Sequence, residues 1–307
     1  MMLETPILLL VFNRPEQALK VLEQIRQQRP ERLFIAADGP RPGKAGEEHL
    51  CRETRKALLE GVDWSCDVQT LFRPKNLGCG KAVSSAVSWF FECVEEGIIL
   101  EDDCVPDPTF FSFCEEMLAH YRTDPDVMHI NGSNYQEGKK RGKGSYYFSR
   151  YAHVWGWASW RRAWKQYDFT LERYKDRPIT GLNPMLQQEF RHMLEKKIDT
   201  WDIQWFMAVW FSDGWVITPN VCLVRNTGYG KEATHTSHTP GWFKKIVYGT
   251  MPVIIHPAQK KIDTAADRFV ADTVYAGSGM YVYLKKIIRS HPLLYKICKR
   301  IAVALPI

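Results

Sequence analysis

Four short apolar runs, separated by three stretches of helical character, fill residues 7–100 of the chain. Ile7 to Phe12 reads as a strand. Pro15 to Gln28 follows as a helix, opened by proline at an early position. Leu33 to Ala37 is the second strand, Glu47 to Leu59 a helix, and Val68 to Phe72 the third strand. Gly78 to Cys93 is a helix with a glycine-rich entry, and Ile98 to Leu100 closes the series. Strands alternating with helices over this length specify an α/β fold with a doubly wound, mainly parallel sheet flanked by helices. In such a sheet the strand ends share one edge, where open α/β folds bind ligands. Each strand here runs into a polar cluster: Asn13-Arg14, Asp38-Gly39, Arg73 to Asn76, and Glu101-Asp102-Asp103. Their convergence is more specific than any one of them.

The acidic cluster carries the most chemistry. Oxygen ligands in a group suit Mg²⁺ or Mn²⁺, which bridge protein carboxylates to substrate phosphates. The plain alternative is a solvated acidic turn before a helix. Arg14 can pair with a diphosphate, because its planar fork matches phosphate oxygens. Asp38 can accept from a base N–H, with Gly39 allowing close backbone approach; otherwise the pair is an ordinary turn. Asn76 to Lys81 lies at a helix start, where free N–H groups favour anions. Neither a Walker A spacing nor a G-x-G-x-x-G fingerprint is present. The eight cysteines are scattered without a CxxC pair, which speaks against zinc or a disulfide framework and for a reducing compartment. The first apolar run is too short to span a bilayer and lacks a basic leader, so a cytoplasmic protein is expected.

Leu9-Leu10-Val11-Phe12-Asn13-Arg14, Ala37-Asp38-Gly39 and Glu101-Asp102-Asp103, in that order, resemble the nucleotide-sugar half of GT-A glycosyltransferases. The nearest likeness is to the inverting N-acetylglucosaminyltransferase I type. It continues through Asp107 to Phe111, Asp124 to Asn131, Val154-Trp155-Gly156-Trp157, Trp201-Asp202, and Asn226 to Gly230 with His235. The resemblance implies roles. Asp103 would be the direct metal ligand, with Asp102 beside it near the ribose or sugar and Glu101 holding the strand end. Arg14, Gly39 and Lys81 would meet the nucleotide, and Asp38 the uracil. Asp202 would be the general base. The family has two adjacent acids here; this chain has one, so Asp199, three residues earlier, stands second. Trp155 and Trp157 would line the acceptor cleft, and Tyr229 and His235 would belong to a closing lid.

Three regions follow: residues 1–135, binding the nucleotide sugar; 136–272, an aromatic-rich half holding acceptor and base; and 273–307, a basic amphipathic tail. Most of the eleven tryptophans fall between Trp155 and Trp215. Helical spacing makes core the commoner use of such residues, while Trp155 and Trp157, flanking Gly156, suit a cleft. Gly138 to Gly144 reads as an exposed basic loop. The tail has no acid after Asp272 and reads as a membrane-surface element or as a packed terminal helix. The expected reaction is inverting, metal-dependent transfer from a nucleotide-diphosphate sugar, with UDP the expected nucleotide, to a hydroxyl of a glycan or lipid-linked acceptor in polysaccharide biosynthesis. The expected place is the cytoplasm, peripheral on the inner membrane face. Nucleic acid is not an expected partner. A sugar-1-phosphate nucleotidyltransferase is the alternative, although no Gly-rich, basic phosphate loop follows the first strand. A non-catalytic sugar-binding protein is the other.

Overall fold

A computed structural model describes residues 2–228 and 240–275. Tyr229, His235, most of the lid and nearly all of the tail lie outside the described residues. The first four strands form where the apolar runs put them: β1 (Ile7–Val11), β2 (Arg32–Ala37), β3 (Asp67–Phe72) and β4 (Glu96–Glu101). Between them run α1 (Pro15–Gln28), α2 (Glu47–Gly61) and α3 (Cys79–Cys93). These strands pair parallel in the order β3-β2-β1-β4. Ile7, Leu9 and Val11 pack on the side of α1, whose Ala18, Val21, Leu22 and Ile25 make an apolar stripe. Leu8 and Leu10 face the other side, against Ala86, Val87 and Phe90 of α3. Burial on both faces is why β1 reads as an unbroken apolar run rather than an alternating one. β3 is the edge strand and is only partly buried, which explains its mixed sequence.

Beyond Glu101 come β5 (Cys104–Pro106), α4 (Pro108–His120), β6 (Val127–Asn131), β7 (Tyr146–Ser149) and β8 (Trp157–Trp160). They are followed by α5 (Arg161–Trp164), α6 (Pro184–Leu194), α7 (Asp202–Phe211), β9 (Trp215–Pro219), β10 (Val224–Asn226) and α8 (Thr264–Thr273). Asp107 caps α4 by accepting from Thr109 N–H at 2.9 Å. The sheet grows to eight strands, in the order β3-β2-β1-β4-β8-β6-β9-β7. Its added half is mixed: β8 is antiparallel to both β4 and β6, and β7 to β9, while β6 and β9 are parallel. The α/β architecture with flanking helices stands, and parallel pairing is confined mainly to the first half. The short β10 pairs antiparallel with β5 just past the end of β4.

Trp157, Trp164, Trp201 and Trp205 join the core on the α3 side of the sheet, and Trp160 the core on the α1 side. Trp157, Trp160, Trp164, Trp201 and Trp205 are all buried. Trp157 stacks on Trp201 at 5.8 Å and on His129 at 5.2 Å. Its expected place in an acceptor cleft is therefore corrected: β8 sits inside the sheet, so Trp157 is fully enclosed. Trp155, just outside the strand, is only partly buried and joins Tyr135 and Trp242 in an aromatic group.

Candidate nucleotide and metal site

A cavity of about 360 Å³ opens at the C-terminal edge of the parallel strands. One wall is apolar, made by Leu10, Ala36 and Leu71 on the strands and by Ala82, Val83 and Ala86 on α3. Small residues one turn apart, Ala82 and Ala86, leave a slot between helix and sheet. Sequence reading passed over this wall; the alanine spacing on α3 was the available signal. The other wall holds Glu101, Asp102, Asp103 and Asp199.

The acids differ in environment. Asp102 is buried and accepts from Phe12 N–H at 3.3 Å and from the Arg14 guanidinium. Burial pushes its carboxyl up to about 6, against the pull of Arg14. Glu101 is held well above the usual carboxylate range, first by burial and then by Asp103, Asp102 and Asp202, with Arg14 opposing. Asp103 is partly exposed, and its Oδ2 lies 3.2 Å from Arg14. Arg14 thus bridges Asp102 and Asp103, so its expected pairing with a diphosphate is already taken by the chain's own carboxylates. One arginine faces several acids here, and their chemistry is all oxygen. An all-oxygen donor set fits Mn²⁺ or Mg²⁺, which Asp103, more open than Asp102, could hold. Both Asp102 oxygens are already engaged, one by Phe12 N–H just past β1 and the other by Arg14.

The nucleotide-side residues are also spoken for. Asp38 accepts from Gly39 N–H at 2.9 Å, from Leu77 N–H at 3.0 Å, and from Asn76 Nδ2 at 2.9 Å. Burial raises its pKa while these donors lower it. The carboxylate expected to meet uracil lines the cavity and also fastens the segment before α3. Gly39 does permit a close approach, but of the chain itself: a Cβ there would collide with the Lys75 backbone. Lys81 is exposed and is not part of the cavity lining. Arg41, unremarked in the sequence, lines the cavity, pairs with Glu47 and lies 5.5 Å from the Phe12 ring.

The α3 entry does receive an anion, and it is Asp199. Its Oδ1 accepts from Gly80 N–H at 3.0 Å. A helix start with free N–H groups stabilises such a carboxylate. Asp202 opens α7 and accepts from the Thr200 hydroxyl. It is close enough to Glu101 to raise that group further. The segment leaving β10 crosses the acidic edge. Thr227 donates its N–H to Asp103 O at 2.7 Å and its hydroxyl to the same oxygen at 3.1 Å. Gly228 then lies so near Asp103 that a Cβ would collide with its carboxylate.

No protein-family profile and no curated protein sequence matches the chain. Solved structures do. A cytidylyltransferase from Leptospira borgpetersenii serovar Hardjo-bovis is similar at 10% identity and TM-score 0.36, over 66% of this chain and 75% of that one. The inositol-1-phosphate CTP transferase from T. maritima is similar at 10% identity and TM-score 0.37, over 71% and 85%. A UDP-glucose pyrophosphorylase complexed with UDP-glucose gives 10% identity and TM-score 0.38, over 70% and 90%. By name these three are nucleotidyltransferases, the alternative set out above, and none is of the N-acetylglucosaminyltransferase I type. With scores this low, the reaction has to be argued from the site.

Proposed function

We propose that the chain is a metal-dependent transferase that moves a sugar from a nucleoside-diphosphate donor, UDP-linked, to a hydroxyl of a glycan or lipid-linked acceptor. The observation that carries this reading is the partly exposed Asp103 beside an apolar slot at the sheet edge. The slot between α3 and the strands would take the flat base. Asp103 would hold Mn²⁺ or Mg²⁺, which when bound supplies charge stabilisation to a departing diphosphate. Asp202 would remove the proton from the acceptor hydroxyl as it attacks. Asp199 already serves the α3 entry, which supports ranking it second. A single displacement at the anomeric carbon inverts it and needs no second nucleophile. The order of acids and the aromatic-rich second half, resembling the N-acetylglucosaminyltransferase I type, support this finer assignment. The basic tail supports an acceptor at the inner membrane face.

The second reading is nucleotidyl transfer to a sugar 1-phosphate. Charge at the cavity bears on the choice. Of its arginines, Arg14 is bound to Asp102 and Asp103, Arg41 to Glu47, and Arg73 donates to Ser85 Oγ at 2.6 Å. A nucleoside triphosphate together with a sugar phosphate brings more negative charge than a diphosphate sugar. An acid-lined cavity with engaged arginines suits the smaller charge. The test is direct: incubate the protein and Mn²⁺ with a panel of UDP-sugars, or with nucleoside triphosphates plus sugar 1-phosphates. Release of UDP from a donor is the expected result. Pyrophosphate release from the second mixture, without the first activity, would replace glycosyl by nucleotidyl transfer.

A further inference from the structure

Away from the cavity, at the far end of α4, three side chains of a different chemistry meet. Glu116 and His120 lie one turn apart on α4 and so share a face. His256 arrives from the segment before α8, which is pinned to the start of β7 through Ser145. Ser145 N–H donates to Ile255 O at 2.7 Å, and Ile255 N–H donates to Ser145 Oγ at 2.8 Å. The ligand atoms of Glu116, His120 and His256 all lie within 4.8 Å of one another. His256 Nε2 is 3.3 Å from Glu116 Oε1; the two imidazoles stack with centroids 4.1 Å apart, so one ring turns out of the stack when both ligate. The other nitrogen of His256 is not idle. Nδ1 bonds the Tyr146 hydroxyl at 2.8 Å, and Tyr146 in turn bonds Tyr121 inside the core. Such a partner fixes the orientation of a ligating imidazole and leaves its Nε2 for the metal.

We propose that Glu116, His120 and His256 form a zinc site, with water in the fourth position, that ties α4 to the segment before α8. Two imidazoles and a carboxylate are a zinc donor set. The all-oxygen chemistry of Mg²⁺ or Mn²⁺ belongs instead to the strand edge. α4 starts just past β5, at the cavity side, and its twelve-step rise carries His120 about 18 Å away. The site is therefore separate from the proposed catalytic one, and its role is structural whether the enzyme transfers sugars or nucleotides.

The experiment uses untagged full-length chain, stripped with a chelator and titrated with Zn²⁺ by calorimetry in excess Mg²⁺. One Zn²⁺ per chain and a rise in melting temperature are expected. His120→Ala and His256→Ala should each weaken binding at least about tenfold, and Tyr146→Phe by about tenfold at unchanged stoichiometry. Absence of saturable binding, or equal binding by the His120→Ala/His256→Ala double variant, overturns the proposal. Should a variant fold poorly, the Co²⁺-loaded wild type decides. A visible spectrum of a nitrogen and oxygen site supports the assignment, and thiolate charge-transfer bands place the ion on cysteine and sink it.

Discussion

Asp102 and Asp103 are neighbours in sequence with opposite expected consequences when removed. Asp103→Ala should leave folding intact and lower transfer on the order of 10²-fold or more, the several kcal/mol that metal-assisted charge stabilisation provides. Asp102→Ala should instead cost about 2–3 kcal/mol of stability. It leaves Arg14 with Asp103 alone and takes the acceptor from Phe12 N–H, and the fully buried case is discounted because Arg14 is 23% exposed. Chemical denaturation beside a transfer assay separates the two, and a swap of phenotypes would refute the division of labour. For the base, Asp202→Asn should reduce turnover by roughly 10²–10⁴ while donor binding survives. Asp199→Asn keeps an acceptor for Gly80 N–H and should lose much less. The reverse ranking in single-turnover kinetics would make Asp199 the base. At this scale the apolar run before them was enough to place Glu101, Asp102 and Asp103 at the sheet edge, where they line the cavity. The sequence did not reveal that Arg14, Asp38 and Asp199 are already bonded, since their partners lie up to 119 residues away.

The β10 segment acts as a strap over the acidic edge. Its ladder with β5 and the two Thr227 bonds to Asp103 O place Gly228 against the carboxylate. Gly228→Ala should force the strap or Asp103 to shift. We expect weaker Mn²⁺-dependent UDP binding by calorimetry with a nearly unchanged melting temperature; unaltered binding would show that the contact is incidental. The elements of the first half were legible because parallel strands covered on both faces need unbroken apolar runs. β8 was not, because Trp157-Ala158-Ser159-Trp160 carries neither an apolar run nor clean alternation, and only pairing with β4 and β6 makes it a strand.

Across the whole molecule, two buried histidines should pull stability down on the acid side. His129 Nδ1 accepts from Trp205 Nε1–H at 3.0 Å, so its proton sits on Nε2 and is donated to His153 O at 2.9 Å. Burial holds His129 down to about 4 and His153 to about 3. Above the ordinary value near 6.5 neither state takes a proton, so these groups add no pH dependence. Below it the unfolded chain binds protons that the fold refuses. Stability is therefore lost as pH falls, until about 4 for His129 and about 3 for His153. Between pH 6.5 and 5 the loss should be about 2 kcal/mol per histidine. Asp102 and Glu101, raised by burial, take up protons in the fold over part of this range and oppose the histidines, so the check compares denaturation midpoints at pH 7 and 5 for the wild type and His129→Gln; an equal pH dependence in both refutes it. The α/β class was readable from the first hundred or so residues, whereas the mixed half depends on distant pairings that no local pattern encodes.

The insertion of β8 between β4 and β6 also governs how the chain can be cut. Residues 1–135 contain both neighbours of that strand but not the strand itself. Expressed alone, they would leave open the β4 edge at Glu96 to Ile99 and both edges of β6, whose partners β8 and β9 are missing. Open edges of this kind recruit other chains. The truncated piece should self-associate, and adding residues 136–228 as a separate fragment should restore solubility by strand complementation. A monodisperse fragment on size-exclusion chromatography would show instead that the nucleotide half closes without its late-arriving strand.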